Sequence, residues 1–463
     1  MAIIKSEKTI SKIIISMLFC FSLFLYLLTN SLLPIVIFVI ASILIFLKIY
    51  RVHLYNLIAI LLPVMFYIHV PFTINTSMAD FILPFLLWEY FTYKYHDIRE
   101  EKITNIILRY GFILMWVMGI SLINIIRLHD SLLIQGIAAI IKIGICLAYG
   151  IVTLKYLFDN GKEKFLKVWY YAGMGFAILM IVGVLAYYNG IDLGLTFAGT
   201  FRATGTFEDP NLAAAYLFLV FTFVTSYCLM NKKYFRLVIS TLIIFTCILL
   251  TSSKGALVAF SFGSVALLII LIIRMDFKSL FKLVFLYIVI IFILVFLYNK
   301  YEFVRDIFEP IFNRLDEFTS NINGDHSLEH RKFLWNTALE LGWKYPILGV
   351  GTEQFRPAAS VFTNQNIWNI VHNTYLTFWA ETGLVGLTAF LWLPIKIFFR
   401  TLKKINENKF TILYLFSMCS ISVSMYSISL QNFRVLWVFL AYLLYDLYYL
   451  KYIDKKEENF YDT

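Results

Sequence analysis

The chain has 463 residues, 60% of them hydrophobic, 18% aromatic and only 15% charged, with a formal net charge of +10 and a mean hydropathy of +0.78. So small a charged share excludes an ordinary soluble globule, where it is about a quarter, and 45 Phe with 30 Tyr are more than one soluble core can hide. The apolar residues come in solid runs rather than in alternation, which excludes an outer-membrane barrel. The Lys and Arg sit in short segments between those runs, with no basic groove of stacking aromatics, so no nucleic-acid partner is expected.

An all-α polytopic membrane protein remains. In chain order, runs long enough to cross a bilayer lie at 11–28, 31–49, 54–73, 77–93, 105–126, 133–151, 168–188, 212–230, 235–251, 255–273, 280–298, 375–399, 410–429 and 432–450, giving about 12–14 transmembrane helices. The first could imitate a signal peptide, but no small-residue cleavage site follows, and it is read as a retained helix. With the N-terminus inside, 26 of the 39 Lys and Arg are cytoplasmic and 11 are outside, seven of those in one long loop; Arg109 and Lys142 fall within spans. That asymmetry puts both termini in the cytoplasm. All five cysteines, Cys20, Cys146, Cys228, Cys247 and Cys419, fall in apolar runs, which gives no disulfide framework and no Cys-based metal site.

The organisation is therefore threefold. Residues 1–298 form N-terminal transmembrane helices with an extracytoplasmic loop at 189–211, residues 299–374 a long extracytoplasmic loop, and residues 375–463 C-terminal transmembrane helices with a cytoplasmic tail. Loops far longer than the usual two to eight residues between helices are functional or disordered. Trp335, Trp343, Phe355, Phe362 and Trp368 give this one apolar weight, and His330 to Leu341 reads as an amphipathic helix. The expectation is an ordered cap of short helices on the membrane, with Pro346, Gly349 and Gly351 ending that helix.

The loop at 189–211 ends in Phe201-Arg202-Ala203-Thr204-Gly205-Thr206-Phe207-Glu208-Asp209-Pro210-Asn211. Asp209-Pro210 or Asn211 starts the next helix. Arg202, the loop's single basic residue, has the planar fork that binds phosphate bidentately. Ser252-Ser253-Lys254-Gly255 is a tight outer turn, whose Lys254 either snorkels to the interface or serves as a second cation for the same anion. In the long loop, His326-Ser327-Leu328-Glu329-His330 matches a zinc-protease pattern, but the surrounding chain does not look like a soluble peptidase, and no metal is expected. Arg331 opens the amphipathic helix with Lys332 beside it, either as a solvated charged face or as a ligand cation.

The most specific signal closes this loop: His372-Asn373, nine residues, then Gly383-Leu384-Val385-Gly386. His372 is either hydrogen-bonded scaffold or a general base at the mouth of a span. Glu381, deeper in that span, needs a partner, either an Arg or Lys from another span or a part in the site.

These landmarks, Arg202 to Asn211, Ser253-Lys254-Gly255, Arg331 to Trp335, Pro346-x-x-Gly349-x-Gly351 and His372-Asn373-x9-Gly383-x-x-Gly386, resemble in this order those of the O-antigen ligase and Wzy-type polymerase superfamily of bacterial surface polysaccharide assembly. The resemblance covers the second half of the chain and does not separate polymerases from ligases. It implies a metal-independent glycosyltransferase with a GT-C-like fold and no cofactor, in the bacterial inner or plasma membrane with its active site extracytoplasmic. The implied donor is a glycan on undecaprenyl pyrophosphate. Glycan or lipid-linked acceptor, membrane lipid and a chain-length regulator are the other implied partners. Carried over by position, Arg202 and Arg331 bind the pyrophosphate and His372 activates or orients the acceptor hydroxyl; Lys254, Asn211 and Asn373 complete the substrate-binding set. The expected reaction is polymerisation of lipid-linked repeat units. The alternatives are ligase-type transfer of a finished glycan to a terminal acceptor, and a lipid-linked oligosaccharide flippase, which the scarcity of intramembrane basic residues disfavours.

Overall fold

The computed structural model describes residues 54–68, 74–92, 98–127, 132–198, 200–274 and 326–449, with scattered positions between 281 and 309. The chain divides into two units, Met1–Ile58 and Ala59–Thr463. The expected spans at 11–28 and 31–49, and the loop segment 310–325, lie outside the described residues.

Residues 54–73 do not form one transmembrane helix. Helix α1 (Tyr55–Leu61) stops before Pro63, which disfavours helical backbone in Leu62, and the chain turns into an antiparallel hairpin of β1 (Met65–Ile68) and β2 (Ile74–Ser77), paired Met65 to Ser77. Hydropathy weighs side chains and does not register this break. The next expected span, 77–93, is a 3-10 turn at Met78–Phe81 followed by α2 (Leu83–Thr92). Ten helical residues reach about 15 Å, half the hydrocarbon thickness.

From there the expected helices are present among the described residues, except that the span at 280–298 falls largely outside them. They are α3 (Ile98–Ser121), α4 (Leu133–Tyr188), α5 (Pro210–Met230), α6 (Tyr234–Leu250), α7 (Lys254–Arg274), α8 (His326–Lys344), α9 (Phe355–Thr363), α10 (Thr374–Lys403), α11 (Thr411–Ser427) and α12 (Arg434–Leu444), which ends in a π turn. Helix α4 carries both expected spans, 133–151 and 168–188: at Gly161 the backbone takes φ 78°, ψ 165°, a conformation open to glycine and not to side-chain-bearing residues. Four stretches among the described residues, Ile98–Asn124, Leu133–Tyr188, Pro210–Met230 and Thr374–Lys403, are long and apolar enough to cross a membrane. Among the described residues the protein is an all-α membrane protein apart from one small hairpin.

Helix α5 is apolar all round and, like α12, buried along almost its whole length, as a central helix must be. Phe165 of α4 stacks on Tyr442 of α12 at 5.3 Å, and Phe223 of α5 meets both rings edge-on at 5.3 and 5.2 Å. Tyr110 ties α3 into this core through Trp437, 5.3 Å away, and donates 2.7 Å to the Phe390 carbonyl of α10. Outward from the core, Trp116 and Phe112 of α3 and Phe262 of α7 are exposed. Exposed aromatics on helices this apolar make a lipid-facing rim.

Ion pairs of low exposure sit at the two ends of α12. At one end Asp446 is fully buried, takes an ion pair from Lys162 beside the Gly161 break, and accepts from Asn408 at 2.8 Å and from Tyr414. Asp446→Ala strands Lys162 without its carboxylate, which costs about 3–5 kcal/mol for a buried pair. The expected result is a large fall in the thermal midpoint of the detergent-solubilised protein. At the opposite end Arg434 clamps Asp80 bidentately at 2.8 and 2.6 Å, with Tyr149 donating to the same carboxylate at 2.8 Å.

Candidate active site

The loop after α4 folds back on itself to present Arg202. Phe197 N donates to Arg202 O at 2.8 Å, Thr196 and Ala203 form an isolated bridge, and Ala203 N donates to Leu250 O at 2.8 Å. Arg202 is half-buried. Its Nε donates to the Thr251 carbonyl at 3.2 Å, and the guanidinium carbon lies 5.4 Å from the Phe197 ring centroid. These contacts fix the plane of the guanidinium. The hairpin backs this loop: Met65 N donates to Thr206 O, and Thr206 Oγ1 to Pro63 O.

Asp209 is the N-cap of α5 and Pro210 its first residue, as expected from the sequence. The Asp209 carboxylate accepts from Asn211 N at 2.6 Å and from Asn211 Nδ2 at 2.7 Å. Asn211 Oδ1 takes the hydroxyl of Ser253, which in turn accepts Ala256 N at 3.1 Å to cap α7. Asn211 therefore joins the two helix starts that flank Arg202 and Lys254. Lys254 is half-buried at the first position of α7, after Ser252, whose φ of 47° is left-handed.

Arg331 reaches the same end of the bundle from α8. Its Nη1 donates to Ser427 O at 3.4 Å at the end of α11. Gly255 lies directly against Ser427, so that a Cβ there would overlap the Ser427 hydroxyl. Four residues on, Trp335 Nε1 donates 3.0 Å to Val371 O and its ring packs edge-on to Tyr426 at 4.8 Å. The His372-Asn373-Thr374 corner is stitched to the same segment: Thr374 Oγ1 donates to Ile428 O at 2.8 Å and accepts Leu430 N at 2.9 Å. Residues 426–430 thus touch the Lys254 turn, the Arg331 helix and the His372 corner. This sharing brings Arg202, Lys254, Arg331 and His372, far apart in sequence, to one end of the bundle.

His372 is half-buried and adopts φ 52°, an uncommon backbone state that concentrates at functional sites. Burial holds its imidazole below the ordinary histidine range, Arg331 and His330 push it the same way, and Asp209 opposes them. Asn373 is buried as the N-cap of α10, its Oδ1 accepting Leu376 N at 3.0 Å. His330 shares a 2.8 Å hydrogen bond with Asn369 Nδ2; the side chain of His326 lies outside the described residues. Among the described residues no three His, Cys, Asp or Glu gather as a metal group.

The glycine motifs have a structural reason. At Gly383 (φ 65°, ψ −162°) α10 breaks. In an unbroken helix Leu384 N and Val385 N would donate to Ala380 O and Glu381 O. Here they donate to Pro346 O and Ile347 O, while the two carbonyls accept Val350 N and Gly351 N, both at 2.9 Å. A Cβ at Gly349 would overlap the backbone of Ala380 and Glu381, and one at Gly383 that of Ile347 and Leu348. Backbone is interlocked with backbone, which only glycine permits. Gly383→Ala breaks the interlock at a cost of about 1–3 kcal/mol, so thermal unfolding of the solubilised variant is expected to begin several degrees lower.

Glu381 follows from the same interlock. Its carboxylate accepts Glu353 N at 2.9 Å and Phe355 N at 3.4 Å, so its partners are backbone amides of the loop and not an Arg or Lys of another span. Glu353, the Asp80–Arg434 clamp and the carbonyl of Ser427 carried no motif in the sequence. A carboxylate at 80 facing an arginine at 434 is a pairing that only the fold reveals.

An all-α membrane protein with a cluster of cations and the histidines His330 and His372 at a single end of its bundle defines the class. Residues 239–391 match the family model Wzy_C, described as O-Antigen ligase, which supports the likeness of this part of the chain to the O-antigen ligase and Wzy superfamily of polysaccharide biosynthesis. The match takes in Lys254, Arg331, His372 and the glycine interlock; Arg202 and Asn211 precede it. No curated protein matches the chain.

Proposed function

We infer that the protein is a membrane glycosyltransferase, GT-C-like in architecture, that polymerises undecaprenyl-pyrophosphate-linked repeat units of a bacterial surface polysaccharide at the outer face of the cytoplasmic membrane. The observation that carries this is the meeting of Arg202, Lys254, Arg331 and His372 at one end of an apolar bundle. In the reaction the acceptor oxygen forms a bond to the anomeric carbon of the donor glycan, and the bond from that carbon to the pyrophosphate oxygen breaks. The acceptor proton passes to the neutral imidazole of His372, and undecaprenyl pyrophosphate leaves with the electron pair. Arg202 and Arg331, with Lys254 beside them, offset the charge that develops on the leaving group, the work a divalent cation does in other transferases. Asn211 holds the two helix starts in register, and Asn373 fixes the corner that carries His372. The family description favours a second reading, transfer of a finished glycan to a terminal acceptor.

Deletion of the gene in its native strain separates these. A surface glycan reduced to single repeats, with no long chains left on the lipid carrier, is the expected outcome. Long chains accumulating on undecaprenyl pyrophosphate would establish the ligase reading instead. Purified protein should transfer glycan unimpaired in excess EDTA; loss of transfer restored by a divalent metal would overturn the cation-only mechanism.

A further inference from the structure

The chain that leads into His372 is an exposed strip held at fixed points. Asn364 ends α9 in the left-handed conformation, φ 54°, and Asn364, Gln365, Asn366, Trp368, Asn369 and Ile370 are all exposed. Ile367 and Val371 are buried in the core that α8 and α9 share. Ile367 N donates to Ser360 Oγ at 2.9 Å, Val371 O accepts Trp335 Nε1 at 3.0 Å, and Asn369 Nδ2 shares its 2.8 Å hydrogen bond with His330. Trp368, between these anchors, is 74% exposed. A single exposed ring is ordinary; its surroundings here are not.

No residue from Pro357 to Val371 is charged, although exposed surface is ordinarily rich in Lys, Glu and Asp. In their place stand four primary amides, each with two donors and a carbonyl acceptor. A tryptophan ring ringed by neutral donors and acceptors suits a ligand that is apolar on one face and carries hydroxyls at its rim, which is the make-up of a sugar. Tryptophan gives that contact at small entropic cost, since two torsions define it, and its electron-rich face attracts the C–H groups of the sugar. Lipid is the poorer match, because amides carried into hydrocarbon lose their hydrogen bonds to water. The aliphatic face of the cap lies toward the other end of α8, where Leu339, Trp343 and Ile347 are exposed and Trp343 packs on Trp379 of α10. From Trp368 to His372 is at most about 14 Å of extended chain, so the strip is continuous with the site. We propose that residues 364–370 are a platform for the acceptor glycan: Trp368 stacks on a sugar ring, the neighbouring amides meet its hydroxyls, and the end of the glycan is thereby held at His372. The inference rests on the transferase reading above, and extends it from the donor's leaving group to the acceptor.

The test uses the full-length protein in detergent and the oligosaccharide repeat unit of the producing strain's surface glycan, freed of lipid. Binding is followed by saturation-transfer NMR at millimolar oligosaccharide, and transfer is assayed with lipid-linked donor and lipid-linked acceptor. Trp368→Ala is expected to weaken oligosaccharide binding and raise the acceptor KM by on the order of tenfold, with the donor KM and the thermal midpoint unchanged. Trp368→Phe, which keeps a smaller aromatic face, should recover part of the loss. An unaltered acceptor KM in Trp368→Ala, or a wild-type protein that transfers glycan yet shows no binding of the free oligosaccharide, would overturn the platform. So would fluorescence of Trp368, read as the difference between wild type and Trp368→Phe, that is quenched by brominated phospholipid in reconstituted vesicles while oligosaccharide binding is the same in both; the strip would then be a lipid anchor. Oligosaccharide binding that depends on Trp368, in a wild-type protein that transfers nothing, would support the platform and overturn the transferase reading alone.

Discussion

Arg202→Ala and Arg331→Ala should each lower transfer by on the order of 10²–10³ and weaken binding of the lipid-pyrophosphate donor as well. The magnitude is that of removing one preorganised donor from a site of developing negative charge. The loss in binding follows because a pyrophosphate is charged before and after transfer, so the same guanidinium contacts it in ground and transition states. The two residues reach the site on different supports. Arg202 is anchored by the Thr251 carbonyl and lies over the Phe197 ring, whereas among the described residues Arg331 makes one long hydrogen bond, to the Ser427 carbonyl. Lysine keeps the charge but not the planar fork. Arg202→Lys, which loses the Nε anchor, should therefore recover little, while Arg331→Lys should recover more. Donor affinity measured on lipid-linked glycan, beside turnover, checks both; wild-type donor affinity in both Ala variants would remove the pyrophosphate assignment.

Much of this architecture was legible in the sequence, for identifiable reasons. Helices α3 to α7 and α10 to α12 follow from apolar runs and α8 from an amphipathic pattern, and the start of α5 follows from Asp209-Pro210, because capping chemistry is local. The failure at 54–73 is equally local: a run apolar enough to span contains Pro63, and backbone geometry overrode hydropathy. The site residues were marked by motif, but the reason for their meeting was not, since it lies in residues 426–430, an unremarkable stretch of Tyr, Ser, Ile and Leu whose backbone carbonyls do the joining. The glycines of 346–351 and 383 were noticed as landmarks and as helix ends. Their interlock replaces two helical hydrogen bonds with four between segments distant in sequence, and no periodicity encodes that.

His372→Ala should cut turnover by on the order of 10²–10⁴ while leaving donor affinity close to wild type, the opposite pattern to the arginines. A general base contributes only as the proton leaves, so its removal lowers kcat without removing a contact to pyrophosphate. The pH dependence follows from the sign of its shift. Burial and the neighbouring Arg331 hold the His372 imidazole below its ordinary range, and Asp209 offsets them in part. The neutral form, the one that accepts a proton, is then already dominant at pH 7. Transfer should stay flat through neutrality and fall only below the usual histidine value of about 6.5. Taking away the Arg331 charge relaxes part of the depression, so the residual activity of Arg331→Ala should have its acid limb moved toward higher pH; removing the Asp209 carboxylate with Asp209→Asn, which retains a capping side chain, should move it lower. These opposite displacements require His372 to be the titrating group, because both charges act on it and they belong to different helices. Acid limbs that stay in place in both variants would assign the proton transfer to another group, and a His372→Ala protein with full turnover would remove the histidine from the reaction altogether.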